Sequence, residues 1–237
     1  MAAFFLFLKN MATIESKIKD EFFKIITENK KELFTKIAAE RTNHITVVLE
    51  NIYQEHNASA VVRSCDCFGI QELHVIEKGN AYKVQRDIAL GAGRWVDMYN
   101  YDRGTTVSSD CIQKLKSRGF SIIATTPHAT ETIHSLPVDQ PMAFVFGTER
   151  RGLSEELLAL SDHQVKIPMY GFTESFNISV SVALVLNTMR ARLEDSKYNW
   201  KLSPDEQIAL INKWCRKILN GGEQLEAHFR NILTEQH

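Results

Sequence analysis

The sequence predicts an α/β domain with a mostly parallel sheet, helices on both faces and further helices at each terminus. Three observations predict it. Short β-branched or apolar runs alternate with segments of helical periodicity between Arg41 and Leu193. The runs end in Gly- or Pro-containing loops, as at Gly147 and Pro168. Long mixed-charge helical patterns precede and follow this alternation.

Residues 14–40 read as one helix, with Ile14, Ile18, Phe22, Ile25, Leu33 and Ile37 at helical spacing and Thr13 available as N-cap. Ile45–Leu49 is a β-branched first strand. Asn57–Phe68 reads as a helix ending at Gly69, and Glu72–Ile76 as a strand. Val107–Arg118 is a helix closed by Gly119, followed by a strand over Phe120–Thr125. Ala143–Phe146 and Gln164–Ile167 are two more strands, separated by a short helix, Ser154–Leu160, with Ser154 as its cap. Ser175–Leu193 reads as a helix that is apolar on most sides and therefore buried. After a polar stretch, Ser203-Pro204-Asp205-Glu206 spells a capping box. Ile208, Ile211, Cys215 and Ile218 follow at 3-4-3 spacing, and Gly221-Gly222 stops that helix before a short tail helix. The expected division is a helical extension over 1–41, the α/β domain over 42–193 and a second extension over 194–237.

The 237 residues include 44% hydrophobic and 24% charged, ordinary for a soluble globular chain. Four cysteines form no disulfide ladder, and Cys65-x-Cys67 is too close for zinc spacing, so reduced thiols in the cytoplasm are expected. Neither a metal site nor a membrane span is expected. The apolar run Ala2–Leu8 lacks a basic flank and is far too short to cross a bilayer, and reads as leading sequence ahead of Met11. A net charge of −1 does not advertise nucleic-acid binding, so any such role rests on a local patch such as Lys17, Lys24, Lys30 and Lys31. Those lysines alternate with glutamates and aspartates, which equally fits a solvated helix face.

Three constellations carry chemistry. The first, Asn57-x2-Ala60-x2-Arg63-Ser64-x-Asp66-x-Phe68-Gly69, sits where the first strand turns into a helix. Its asparagines, Asn51 and Asn57, suit capping. Arg63 offers a fork of donors for phosphate or carboxylate, or alternatively pairs with Asp66 on the helix surface. The second is Gly147-Thr148-Glu149-Arg150-Arg151-Gly152-Leu153-Ser154: a glycine after an apolar strand admits close backbone approach, and Glu149 accepts hydrogen bonds. The third is Ile167-Pro168-Met169-x-Gly171-x3-Ser175-Phe176-Asn177-x-Ser179. There Pro168 ends the strand, and Ser175 and Asn177 cap a helix or face a ligand. Two strand-end loops side by side form a ligand crevice. No triad partner supports Ser175 as a hydrolase nucleophile, and no GxGxxG follows a strand.

In this order the three constellations resemble the SPOUT class of RNA methyltransferases, in particular its SpoU family of ribose 2′-O-methyltransferases, over about residues 42–192. The terminal helices and Gly91-Ala92-Gly93-Arg94-Trp95 further resemble the TrmH branch, whose members methylate guanosine 18 of tRNA. Relatives acting on ribosomal RNA share all three motifs but often carry an N-terminal RNA-binding domain, where this chain has a helix. The resemblance implies a deep C-terminal trefoil knot, S-adenosylmethionine as cofactor, RNA, in particular tRNA, as substrate, and a homodimer that completes the active site. It also implies cofactor contacts at Thr125, Gly147, Ile167, Met169 and Phe176. Arg63 is then the residue that promotes loss of the 2′-hydroxyl proton, with Asn57, Glu149, Ser175 and Asn177 positioning it. Methylation of ribosomal RNA and a non-catalytic RNA-binding module are the alternatives.

Overall fold

The computed structural model describes residues 2–52, 54–77 and 91–235, with side chains from Ile14 onward except Glu55. In chain order the elements are α1 (Ala2–Ile25), α2 (Glu28–Ala38), β1 (Ile45–Glu50), α3 (Glu55–Cys67), β2 (Glu72–Ile76), β3 (Asp97–Tyr101), α4 (Val107–Ser117), β4 (Ser121–Thr125), β5 (Glu131–Thr132), β6 (Met142–Phe146), α5 (Glu155–Leu160), β7 (His163–Lys166), α6 (Ile178–Glu194), α7 (Pro204–Ile218) and α8 (Gly222–Glu235). They form two compact units, Thr42–Trp200 and Met1–Arg41 with Lys201–His237.

The first unit is a seven-stranded sheet in the order β3-β2-β1-β6-β4-β7-β5. Every pairing is parallel. Alternation along β1 sorts its side chains to two faces. Val47 and Leu49 join the core built with Val61 and Val62 of α3 and Val182, Val185 and Met189 of α6. Val48 joins the opposite core with Ile112 and Leu115 of α4 and Leu157 of α5. Helices therefore cover both faces, which is why β1, β2 and β6 are buried at every position. Each fully buried Val, Leu or Ile side chain contributes about 1.5–3 kcal/mol.

From β1 the chain adds β2 and β3 on one side, then crosses to build β4, β6 and β7 on the other. The direction of winding thus reverses between β1 and β6. At such a reversal the loops leaving adjacent strands diverge and open a crevice at the carboxyl edge. Glu50 ends β1 and Gly147 follows β6, with Leu49 and Phe146 paired in register just before them. This edge carries the candidate site.

Several elements differ from expectation. The single helix over 14–40 is two helices, and α1 runs back through Thr13 instead of starting there. The break falls at Ile26–Thr27, where Thr27 is extended (φ −69°, ψ 153°). The buried stripe there is Ile18, Phe22, Ile26 and Phe34, leaving Ile25 and Leu33 about half exposed. Helix α3 starts two residues earlier than expected, so Asn57 lies in its first turn and does not cap it, and Asn51 takes the left-handed turn position, φ 51°. Helix α6 begins three residues later than expected because the Asn177 side chain, not that of Ser175, accepts the first amide, from Ser179. It is not buried all round, since Val180 and Leu184 are exposed. Strands β3 and β5 had no counterpart in the sequence reading, and residues 194–200 pack with the α/β unit.

In the helical unit, the Ser203–Glu206 capping box forms as spelled. Phe22 packs edge-on to Phe229 and Phe34 to Trp214. The Asn212 amide donates to the Glu15 carbonyl and carboxylate, tying α7 to α1.

Candidate active site

The loop after β6 folds back on itself. Thr148 and Gly152 exchange both backbone hydrogen bonds, at 3.0 and 2.9 Å, and Gly152 takes φ +65°. This closure presses Gly147 against the far side of the loop: a Cβ there would lie 2.2 Å from the Gly152 carbonyl carbon and oxygen and 2.4 Å from the Leu153 nitrogen. Only glycine fits such an approach. The loop then enters α5 through Ser154, whose hydroxyl accepts from the Leu157 amide. The Ser154 amide in turn donates to Glu50 Oε2 at 2.8 Å, joining the loop to the end of β1.

The loop closure projects Glu149 toward two asparagines. Asn57 Nδ2 donates to Glu149 Oε1 at 2.9 Å, and Asn177 Nδ2 donates to the same oxygen at 2.8 Å. Asn177 Nδ2 also reaches Asn57 Oδ1 at 3.1 Å, and Asn57 Nδ2 has a second acceptor in Gln54 Oε1 at 2.8 Å. Asn57 is only 3% exposed, so its amide has both an acceptor and donor role satisfied inside the protein. One residue from each sequence constellation thus meets in a single network, whose charged acceptor makes its hydrogen bonds stronger than neutral ones.

Two clefts flank the loop. The first, about 720 Å³, has Thr125, Gly147, Ile167, Met169, Ser175 and Phe176 in its wall. The second, about 760 Å³, is bounded by Glu50, Asn51, Gln54 and Asn57. Residues Thr148–Leu153 belong to both walls, so the loop is the partition between them. Both volumes fall in the range of small-molecule sites, about 300–1,000 Å³. Thr125 is held by a hydrogen bond from its hydroxyl to the Val145 carbonyl at 2.8 Å.

The model of the SpoU rRNA methylase family matches residues 44–187. The chain belongs to this family. It is 39% identical over 204 residues to a tRNA (guanosine(18)-2′-O)-methyltransferase of Borreliella burgdorferi, covering 86% of this chain and 92% of that one. A protein of the same name from Thermus thermophilus is 32% identical over 194 residues, 81% of this chain and 98% of the other. The crystal structure of the A. aeolicus TrmH/SpoU tRNA modifying enzyme superposes with a TM-score of 0.70 at 28% identity, covering 81% of this chain and 98% of that one.

Within this SpoU family chain, the five residues read as cofactor contacts all lie in the first cleft. Asn57, Glu149 and Asn177 form the network, and Ser175 stands in the first cleft's wall, exposed. Arg63 does not join them. It stands exposed on α3, outside both cleft walls. Sequence reasoning missed Glu50 and Gln54. Glu50 had a visible signal: a carboxylate directly extending an apolar strand that is buried on both faces. Among the described residues, no cluster of three or more His, Cys, Asp or Glu could hold a metal ion, and no helix is long and apolar enough to cross a membrane.

Proposed function

We propose that this chain methylates the 2′-hydroxyl of guanosine 18 in tRNA, using S-adenosylmethionine. The observation that carries the reading is the Asn57–Glu149–Asn177 network standing on the partition between two ligand-sized clefts. Relatives named for this reaction, matching nearly their whole length, support the choice of substrate over ribosomal RNA.

The first cleft suits the cofactor chemically. Ile167, Met169 and Phe176 supply apolar surface for an adenine, and the close-packed turn at Gly147 offers backbone polar groups without side-chain obstruction. Thr125 completes that set at the end of β4. When bound, the cofactor supplies an electrophilic methyl group on a cationic sulfur. The chain's own residues align the ribose oxygen with it, and alignment alone is a large part of such a rate gain. The ribose hydroxyl must also give up its proton, which leaves to solvent. A guanidinium stays protonated, so Arg63 acts by holding an RNA phosphate and stabilising the developing negative oxygen, not as a base. Asn57, Glu149, Ser175 and Asn177 hold the loops and the RNA in register.

Because Arg63 stands apart from both clefts, a second copy of the chain supplies it, making the working enzyme a homodimer. Exposed Val180 and Leu184 on α6 support that assembly, since two apolar side chains on one helix face gain by being covered. In this reading residues 42–193 are the knotted catalytic domain, and the extensions 1–41 and 194–237 dock tRNA in the cytoplasm. The test is methylation by the purified chain of tRNA transcripts and, in parallel, of ribosomal RNA, with the modified ribose mapped. A mark at guanosine 18 is expected, and a mark confined to ribosomal RNA overturns the reading.

A further inference from the structure

We infer that the second cleft receives the base of the target nucleotide and that Glu50 reads that base as guanine. This rests on the proposed methylation of a guanosine. Three observations support it. Glu50 is 2% exposed and forms part of the cleft wall. Its Oε2 is fixed by the Ser154 amide at 2.8 Å, while its Oε1 has no hydrogen-bond partner. A buried carboxylate oxygen without a donor is a costly arrangement, and a ligand that brings a donor relieves it. Second, the cleft shares its Thr148–Leu153 wall with the first, so a base here lies one loop away from a methyl donor there. Third, Arg150 and Arg151 are exposed on that shared wall and offer charge to the flanking phosphates.

The chemistry selects the base. A carboxylate accepts hydrogen bonds and donates none. Guanine presents two adjacent donors, N1–H and the 2-amino group, on its Watson–Crick edge, the edge by which unstacked RNA bases are read. Adenine would set its N1 lone pair against the carboxylate, and uracil flanks its single N–H with two carbonyl oxygens. Guanine alone presents two adjacent donors to Oε1 on that edge. The neighbouring Asn51, held at φ 51°, turns the chain sharply at the cleft mouth directly after Glu50.

The test compares full-length tRNA transcripts carrying guanosine or inosine at the target position. Inosine lacks only the 2-amino donor. For the unmodified enzyme, kcat/KM is expected to fall about tenfold or more on inosine, the value of one hydrogen bond to a charged group. Glu50→Gln should lose about tenfold or more on guanosine, show equal rates on the two transcripts, and keep its S-adenosylmethionine affinity by calorimetry. A Glu50→Gln enzyme with an undiminished preference for guanosine overturns the inference. If that variant does not fold, the unmodified enzyme decides alone: equal rates on guanosine and inosine overturn base reading while leaving the methylation itself standing. An enzyme that binds cofactor but methylates neither transcript overturns the tRNA reading and this inference with it.

Discussion

Gly147→Ala is the sharpest test of the loop geometry. The added Cβ would sit 2.2 Å from the Gly152 carbonyl carbon and oxygen, where ordinary carbon contacts need about 3.5–4.0 Å. Both colliding groups are backbone, so no side chain can swing away. Relief requires the two arms of the loop to part, which breaks the 3.0 and 2.9 Å hydrogen bonds between Thr148 and Gly152. Losing two such bonds costs about 1 kcal/mol each, and the residual crowding about 1–3 kcal/mol more. A total of about 3–5 kcal/mol leaves a domain of ordinary stability folded but with the partition opened. Since 1.4 kcal/mol is a factor of ten, affinity for S-adenosylmethionine should fall at least about a hundredfold. Calorimetric titration with the cofactor, beside thermal melts, measures both effects. Gly171→Ala is the control: it lies in the same cleft, and its added Cβ meets nothing within 4 Å. Cofactor affinity within threefold of the parent for Gly147→Ala, or an equal loss for Gly171→Ala, would refute the reasoning.

Arg63→Ala should lower methyl transfer by roughly a hundred- to a thousandfold, the effect of removing one oxyanion donor, while cofactor affinity is unchanged; near-normal turnover would make it a surface residue. Glu149→Ala should free Asn57 and Asn177 together, so Asn57→Ala added to it should cost less than Asn57→Ala alone, and additive rate losses in the double-mutant cycle would dissolve the network. Sedimentation at micromolar concentration should show twice the 27.1 kDa chain mass, and Val180→Glu with Leu184→Glu should return the chain to that mass. Burial raises the pKa of Glu72, but the His74 ring 3.6 Å away and two hydrogen bonds from Arg118 outweigh it and hold the carboxyl at about 2, below its ordinary 4.5. The carboxylate is thus preferred in the folded chain, so its stabilisation is complete above about 4.5 and lost as pH falls through about 2. Chemical denaturation of Glu72→Gln should therefore show a flatter dependence on pH across that window than the parent.

The fold was legible where one physical signal acted alone. β1 and β6 are buried on both faces, so their sequences are nearly continuous apolar runs. Ser154 and Ser203 cap helices with side chains that need only a local amide. Reading failed where tertiary packing chose between close alternatives. Ile25 and Ile26 are adjacent and chemically equal, and only the partner surface decides that Ile26 is buried and α1 stops there. Strand β3 pairs with β2 through Asp97, Met98, Tyr99, Asn100 and Tyr101, a mixed run whose edge position leaves no clean alternation. Two-residue β5 has too few side chains to carry any period.

The site divides along the same line. In an all-parallel sheet every strand ends at one edge, so motifs at the ends of β1, β6 and β7 converge there whatever their separation in sequence. That is why Asn57 can meet Glu149, 92 residues away, and Asn177, 120 residues away. Topology gives no such guarantee to a residue farther along a helix. Arg63 lies six positions beyond Asn57, nearly two turns up α3, where the helix has climbed about 9 Å from the strand edge. Its side chain can act at the clefts only if something outside the chain bends the geometry back. The exposed apolar face at Val180 and Leu184 belongs to α6, the helix packed beside α3. Under the proposed homodimer, a second copy seated on that face would bring another α3 to the site, so the helix that cannot reach its own clefts would serve those of its neighbour.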